Sequence, residues 1–124
     1  MTPGDKRVDL TGWPVNDSPT PVNWRGKIIH VRPIINPEEV ISLVNSVVDA
    51  CYSKEHDAIV PEMSDFAFRE HIVIAYSDVR LPDGATESYR ILYLTDIFDV
   101  ILKHACKAQI DAARRAVDMM IYHI

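Results

Sequence analysis

The sequence has few of the residues from which small catalytic sites are commonly built. It contains only four glycines, scattered along the chain, so there is no glycine-rich loop to hold a phosphate group. It contains two cysteines and no paired CxxC motif of the kind that binds zinc. The Gly-x-Ser-x-Gly motif of serine hydrolases is also absent. These absences favour a protein that is not an enzyme.

Long apolar segments are missing too. No stretch approaches the roughly 20 residues that cross a bilayer, and no N-terminal run has the charged and apolar parts of a signal peptide. Cys51 and Cys106 each lie in a segment with helical spacing, where cysteine acts as a small apolar filler. We therefore expect free thiols, a reducing compartment and no membrane partner.

Charge is distributed unevenly along the 124 residues, which suit one domain. The net charge of −5 argues against nucleic-acid binding, which draws on many Lys and Arg contacts to phosphate. Residues 1–35 carry five basic and three acidic groups, whereas residues 36–124 carry eight basic and fifteen acidic groups. A basic N-terminal segment can meet an acidic body, including that of a neighbouring copy, although a solvated tail explains the same numbers.

Proline and tryptophan mark the N-terminal segment. Six of the eight prolines lie in the first 37 residues, which prevents a continuous helix there. We divide the chain into an extended proline-rich arm, residues 1–26, and a single helical domain with a leading strand, residues 27–124. Trp13 and Trp24 lie in the arm, so each must fold back onto its own domain or insert into a partner.

A strand is predicted over Lys27–Ile35, where β-branched residues alternate loosely. One strand cannot satisfy its own backbone groups. We expect it to pair either with Arg7–Leu10 or with a strand of another molecule. Together with the two tryptophans, Lys27, Ile29 and Val31 are therefore the candidate partner-binding residues.

The first helix is predicted from Asn36 to about Ser53. Asn36 is a good N-cap, Pro37 suits the first helical position, and Glu39 can close a capping-box contact. The apolar residues that follow have the i, i+3, i+4 spacing of one buried face: Val40, Ile41, Val44, Val47, Val48 and Cys51.

Three further helical regions follow. They are predicted over Ser64–Val79, over Ala85–His104 with a break near Thr95-Asp96, and over Lys107–His123. The expected fold is mainly α: a four- to five-helix bundle or orthogonal array, with one or two short N-terminal strands and the extended arm.

Candidate chemical groups are scattered. No two histidines have the one-turn spacing that gives a metal two ligands on one helix face; they are His30, His56, His71, His104 and His123. Cys106 lies among basic residues, and Asp96 and Asp99 can share a helix face, but a solvated surface explains both. We predict no catalytic, metal or cofactor residues and no small-molecule substrate.

From Lys27 onward the chain resembles small proteins encoded in bacterial phages and prophages, whose function is mostly unassigned. The similar layout is a short strand, KIIHVRPII, followed by the helix NPEEVISLVNSVVDACYS and then VPEMSDFAFREHIVIAYSDVRLP and SYRILYLTDIFDVI. It covers about three quarters of the chain and leaves out the arm. It brings no catalytic or binding residue with it.

The resemblance implies a range of roles in a host cytoplasm or a virion. Small helical phage proteins with arms are commonly head–tail connectors, completion proteins or assembly factors that contact other proteins, including copies of themselves. The alternative is a small acidic inhibitor of a host protein, such as an anti-CRISPR, which would need Asp49, Glu55, Asp57, Glu62 and Asp65 on one surface. A small enzyme using Cys106 or an acid pair is the third class.

Overall fold

Five α-helices and two short antiparallel strand pairs make a mainly helical fold in the computed structural model, which describes residues 6–122. The strands are β1 (Thr20–Trp24), β2 (Lys27–Val31), β3 (Tyr52–Ser53) and β4 (Ala58–Ile59). The helices are α1 (Pro37–Ala50), α2 (Ser64–Tyr76), α3 (Ala85–Leu94), α4 (Ile97–His104) and α5 (Lys107–Tyr122), with a short 3₁₀ turn over Pro61–Met63 before α2.

A tight hairpin joins β1 to β2. The strands pair antiparallel, with Trp24 opposite Lys27 at the turn and Thr20 opposite Val31 at the open end. The two turn residues, Arg25 and Gly26, both have positive φ, at 53° and 84°. This two-residue geometry matches the right-handed twist of the flanking strands, so it holds the register of the whole hairpin.

The partner of β2 is neither of the two that the sequence predicted. The strand Lys27–Val31 pairs with Thr20–Trp24, and not with Arg7–Leu10 or with another molecule. A two-residue turn brings neighbouring chain together at a much smaller entropic cost than a longer loop or a second molecule. The predicted division between residues 26 and 27 therefore falls at the turn of one hairpin.

The other edge of β2 is also occupied, by the segment that follows α2. Val31 bridges to Ser77, and the Arg32 N–H donates to the Tyr76 carbonyl at 2.7 Å. Asp78 accepts from the His30 N–H at 2.8 Å and donates its own N–H to the His30 carbonyl at 3.2 Å. This pairing explains why α2 ends at Tyr76 and not at the predicted Val79.

The predicted start of α1 is confirmed. Pro37 is its first residue, and a Glu39 oxygen accepts the Asn36 N–H at 3.2 Å. Arg32 donates to both oxygens of the same carboxylate, at 2.6 and 2.9 Å. Hydrogen bonding from Arg32, followed by that from Asn36, lowers the pKa of Glu39 to about 2. The helix ends at Ala50 because the chain turns into β3.

The remaining helices agree with the sequence to within a few residues. The predicted break between α3 and α4 is confirmed, and Thr95 forms it: its hydroxyl donates to the Ile91 carbonyl at 2.6 Å and accepts the Ile97 N–H at 3.3 Å. The β3–β4 hairpin was not predicted, because two-residue strands leave no periodic pattern. The last described residue of α5 is Tyr122, so His123 lies outside the described residues.

The core is built mostly by α1, α2, α4 and α5, with α2 in contact with each of the other helices. β2 adds to it through Ile29 and Val31, which are buried. The largest fully buried side chains are Tyr76, Ile72, Leu92, Ile97, Ile101, Val31, Val47, Val73 and Val117. No buried side-chain nitrogen or oxygen lacks a hydrogen-bond partner within residues 6–122.

Gln109 of α5 fixes the connection between β2 and α1. Its side-chain amide accepts the Ile35 N–H at 3.0 Å and donates to the Ile35 carbonyl at 2.9 Å, as a neighbouring strand would. The Tyr76 hydroxyl donates to the same amide oxygen at 2.6 Å. One side chain thus joins α5, α2 and the chain before α1.

Replacing Gly26 by alanine should lower the free energy of unfolding by about 1 kcal/mol, because an alanine at positive φ is strained. An added Cβ would meet nothing within 4 Å, so the cost is conformational and not steric. Urea unfolding followed by circular dichroism measures it. Gly26→Asn is the control and should cost less, since Asn tolerates this conformation. Equal losses in both variants would contradict this account of the turn.

The Arg32–Glu39 pair should make stability depend on pH. The pKa of Glu39 is lowered from 4.5 to about 2 in the folded protein, so its contribution is present above about pH 4.5 and is lost as the pH falls towards 2. We expect the Glu39→Gln variant to have a lower Tm than the parent at pH 7. This Tm difference should shrink as the pH falls from about 4.5 towards 2. Glu38→Gln is the neighbouring control and should show a smaller difference. A Tm difference that is constant with pH would contradict the assignment.

Candidate protein-binding surface

The five predicted partner-binding residues lie in different environments. Ile29 and Val31 point into the core of their own domain, and Lys27 is exposed at the hairpin turn. Trp24 is half-buried, whereas the side chain of Trp13 is 62% exposed. The structure therefore separates the two tryptophans, which the sequence had grouped together.

Trp24 anchors the hairpin to the helical body. Its indole Nε1 donates to the Asp96 carboxylate at 2.8 Å, at the junction of α3 and α4. The Arg25 guanidinium lies 5.0 Å from the centre of the Trp24 ring and 3.9 Å from the same carboxylate. Asp96 thus accepts one hydrogen bond and makes one ion pair with the hairpin, and Trp24 folds back onto its own domain.

Within the predicted arm of residues 1–26, residues 6–19 have neither helix nor strand and are all exposed, and we now restrict the name arm to them. Four large apolar side chains lie in it: Val8 is 78% exposed, Leu10 62%, Trp13 62% and Val15 76%. Short-range hydrogen bonds give the arm local turns, such as the Trp13 N–H to the Leu10 carbonyl at 2.9 Å. The arm therefore carries apolar surface that its own domain does not cover.

A groove lined by aromatic rings lies between the start of α2 and α3. It has a volume of about 320 Å³, and we call it the aromatic groove. Its lining residues are Glu62, Met63, Phe66, Ala85, Thr86, Tyr89 and Tyr93. The Phe66 and Tyr89 rings meet edge to face at 5.3 Å, and the Tyr89 and Tyr93 rings are 4.5 Å apart. Rings and a thioether at this spacing form an apolar site with one acidic residue on its rim.

Little in the sequence points to this groove. The sequence analysis assigns no role to Phe66, Tyr89 or Tyr93. A signal is present in retrospect, because Tyr89 and Tyr93 are four residues apart and so share a face of α3. Spacing alone cannot say whether such a face is covered by another helix or left open.

A polar network beside the groove holds Tyr93 in place. Asp65 accepts hydrogen bonds from the Tyr93 hydroxyl and from Arg69 Nε at 2.9 Å, and Arg114 lies 3.4 Å away. Arg69 is sandwiched between the rings of Tyr93 and Phe98, at 4.6 and 4.7 Å. Burial acts to raise the pKa of Asp65, but the bonds from Tyr93 and Arg69 outweigh it and lower that pKa below 3.8.

A second groove, of about 310 Å³, separates α1 from α2 and is more polar. Its lining residues are Glu38, Glu39, Ser42, Leu43, Ser46, His71, Ile74 and Ala75. Burial lowers the pKa of His71 despite the opposing charge of Glu70, which favours the neutral imidazole. The carboxylate of Glu39 is already engaged by Arg32, and the groove suits a polar ligand better than an apolar side chain.

The cysteines and His30 have different surroundings. Cys51 is buried, which raises the pKa of its thiol, whereas Cys106 is a second free thiol that is partly exposed, and its backbone N–H donates to the Pro33 carbonyl at 2.7 Å. His30 Nδ1 lies 2.8 Å from the Asp78 carboxylate at the edge of β2. Across residues 6–122, no three His, Cys, Asp or Glu side chains gather as a metal ion would require.

Comparison of the chain with protein-family models, with curated proteins and with solved structures gives no match. Over the same described residues, no helix has both the length and the apolar character to cross a membrane. The arm and the aromatic groove are thus the two features on which a functional interpretation depends.

Replacing Asp65 by asparagine should destabilise the protein by about 1 kcal/mol, because it removes one charge shared by Arg69, Arg114 and Tyr93 at a partly exposed site. Thermal or urea unfolding measures the loss. Asp118→Asn is the matched control: among residues 6–122, Asp118 pairs with Arg114 alone, at 3.5 Å one turn along α5, and its loss should cost less than about 0.5 kcal/mol. Equal costs would show that Asp65 is no more than another surface ion pair.

Proposed function

We propose that this protein is a phage-like structural or assembly protein, with a head–tail connector, completion or similar virion-associated role, that acts through protein–protein contacts. The layout from Lys27 onward motivates the class of protein. The five helices then form a compact bundle or orthogonal array, and the arm is its projecting contact element. Its place is the host cytoplasm or the virion.

The observation that carries this proposal is the exposed apolar surface of the arm. Each of Val8, Leu10, Trp13 and Val15 is more than 60% exposed. Burying a large apolar side chain is worth about 1.5–3 kcal/mol, so four of them on one short segment are a substantial driving force for association. Single exposed apolar residues are ordinary, whereas a group of four on a segment without a core of its own favours a partner.

The hairpin supports a role for the arm as a projecting element. The arm joins β1 at Thr20, and β1 is held by β2 along its length and by the Trp24–Asp96 hydrogen bond at its far end. The strand that carries the arm is already ordered before binding. Because binding does not have to order it, the entropic cost of association is lower.

The inhibitor alternative ranks second because several acidic groups are engaged inside the chain. Asp65 is shared by Arg69 and Arg114, and Asp57 accepts a hydrogen bond from the Tyr52 hydroxyl. Charge mimicry needs carboxylates that are free to meet basic groups of the partner. Two of the five acids named for this role thus already have partners within the chain, cations for Asp65 and a hydroxyl for Asp57.

The arm should be needed for self-association. In the full chain, the double variant Leu10→Ser and Trp13→Ser should lower the mass measured by light scattering after size-exclusion chromatography, at concentrations where the parent associates. Its helical circular-dichroism signal should not change, because neither residue touches the core.

The matched control is Ile41→Ser with Leu94→Ser, which removes two exposed apolar side chains from α1 and α3 instead. It should associate like the parent. A parent that is monomeric at every concentration, or an arm variant that associates as before, would contradict self-association through the arm.

A further inference from the structure

We propose that the aromatic groove binds the arm of a second copy of this chain, with Trp13 as the anchoring side chain. This proposal rests on the function proposed above and adds the site that receives the arm. The proposal is supported by the chemistry and charge of the two surfaces, the distance that the arm can span, the size of the contact and the weaker fit of the other groove.

The chemistry of the two surfaces matches. Trp13 is followed by Pro14 in a segment without helix or strand, and aromatic-lined grooves are a common receptor for proline-containing chain. The groove offers the faces and edges of Phe66 and Tyr89 and the thioether of Met63, which are favourable neighbours for an indole. Met63 and Tyr89 are 42% and 51% exposed, so these groups are accessible without rearrangement of the core.

The charges are complementary. Among the residues described as lining the groove, Glu62 alone is charged, and it is negative. Residues 1–35 carry an excess of two positive charges, with Lys6 and Arg7 at the start of the arm, whereas residues 36–124 carry an excess of seven negative charges. An incoming N-terminal segment therefore meets a body of opposite charge, which favours its approach over that of an acidic partner.

The distance that the arm can span favours the aromatic groove of a second copy over the aromatic groove of the same copy. The arm joins β1 at Thr20, which lies opposite Val31. Val31 bridges to Ser77, at the end of α2 that is far from the groove. The thirteen residues of α2 separate these ends by roughly 20 Å. Trp13 precedes Thr20 by seven residues, which span at most about 25 Å when fully extended.

Self-docking would thus need an almost straight chain between Trp13 and Thr20. That chain is not straight, because the Ser18 N–H donates to the Asn16 side chain at 3.2 Å and makes a local turn. A second copy brings its arm without this restraint. The geometry therefore favours exchange between copies.

The contact between two copies that exchange arms is large enough for a specific protein–protein interface. If two copies exchange arms reciprocally, each contributes its fourteen arm residues and the seven residues that line its groove. Twenty-one residues a side falls within the roughly 20–30 of a specific protein–protein interface. Head-to-tail exchange uses the same contact once per copy and generates a ring or a filament.

The groove between α1 and α2 is the weaker competitor. It is similar in volume, at about 310 Å³, but two glutamates, two serines and a histidine line it. Burying an indole there would desolvate these polar groups without pairing them.

Trp13 fluorescence tests the contact directly. In the full chain, Trp24→Phe leaves Trp13 as the only tryptophan, so its emission should shift to the blue as concentration and light-scattering mass rise together. Adding Tyr89→Ser should weaken this association tenfold or more, as loss of a central contact residue does. Adding Leu94→Ser, which removes a more exposed apolar side chain of α3 outside the groove, should leave it unchanged.

A labelled peptide of residues 6–19 gives an independent measurement. It should bind full-length Trp13→Ser protein, whose groove is intact, and should bind the Trp13→Ser, Tyr89→Ser protein at least tenfold more weakly. The same peptide with Trp13→Ser should lose binding to a similar extent. Circular dichroism of each protein variant checks that the helical signal is retained.

The outcomes separate the two proposals. If arm variants abolish association while Tyr89→Ser and Met63→Ser have no effect, the proposed function stands and the groove is the wrong receptor. If the blue shift does not depend on concentration, the arm occupies its own groove, and exchange between copies is overturned. If the parent is monomeric throughout and the peptide does not bind, both proposals fail.

Discussion

β2 is the strand whose hydrogen bonding organises the N-terminal third of the molecule. It pairs with β1 along one edge, and at its C-terminal end the other edge meets the Ser77–Asp78 segment, so both edges are paired there within the chain. The side-chain amide of Gln109 then continues strand-like pairing to Ile35. Together these contacts fix where α1 starts and where α2 ends.

This constraint decides what is left for interaction with a partner. With both edges of β2 occupied, the exchange of that strand between molecules would break contacts that already exist. β1 is held in the same unit, and Trp24 at its end is bonded to Asp96. Residues 6–19 carry four exposed large apolar side chains on one short segment, and association through that segment fits the structure better than strand exchange.

The surface of α2 and α3 illustrates how a structural network can shape an open site. Asp65 collects donors from three elements, and Arg69 lies between the rings of Tyr93 and Phe98. Tyr93 is therefore held by its hydroxyl and by a stacked cation, which leaves one side of the ring facing the aromatic groove. A rigid aromatic lining of this kind loses little side-chain freedom when a ligand binds.

The sequence by itself determined the helical elements of this protein. The cap and proline at Asn36-Pro37, the apolar spacing of α1 and the Thr95 break act locally, so they could be predicted without knowledge of the fold. Tertiary structure alone decided that the end of β2 pairs with the Ser77–Asp78 segment, that Trp24 is anchored while Trp13 is exposed, and that Tyr89 and Tyr93 line a groove. Exposure and long-range pairing depend on which neighbours cover a residue, and no local pattern encodes those neighbours.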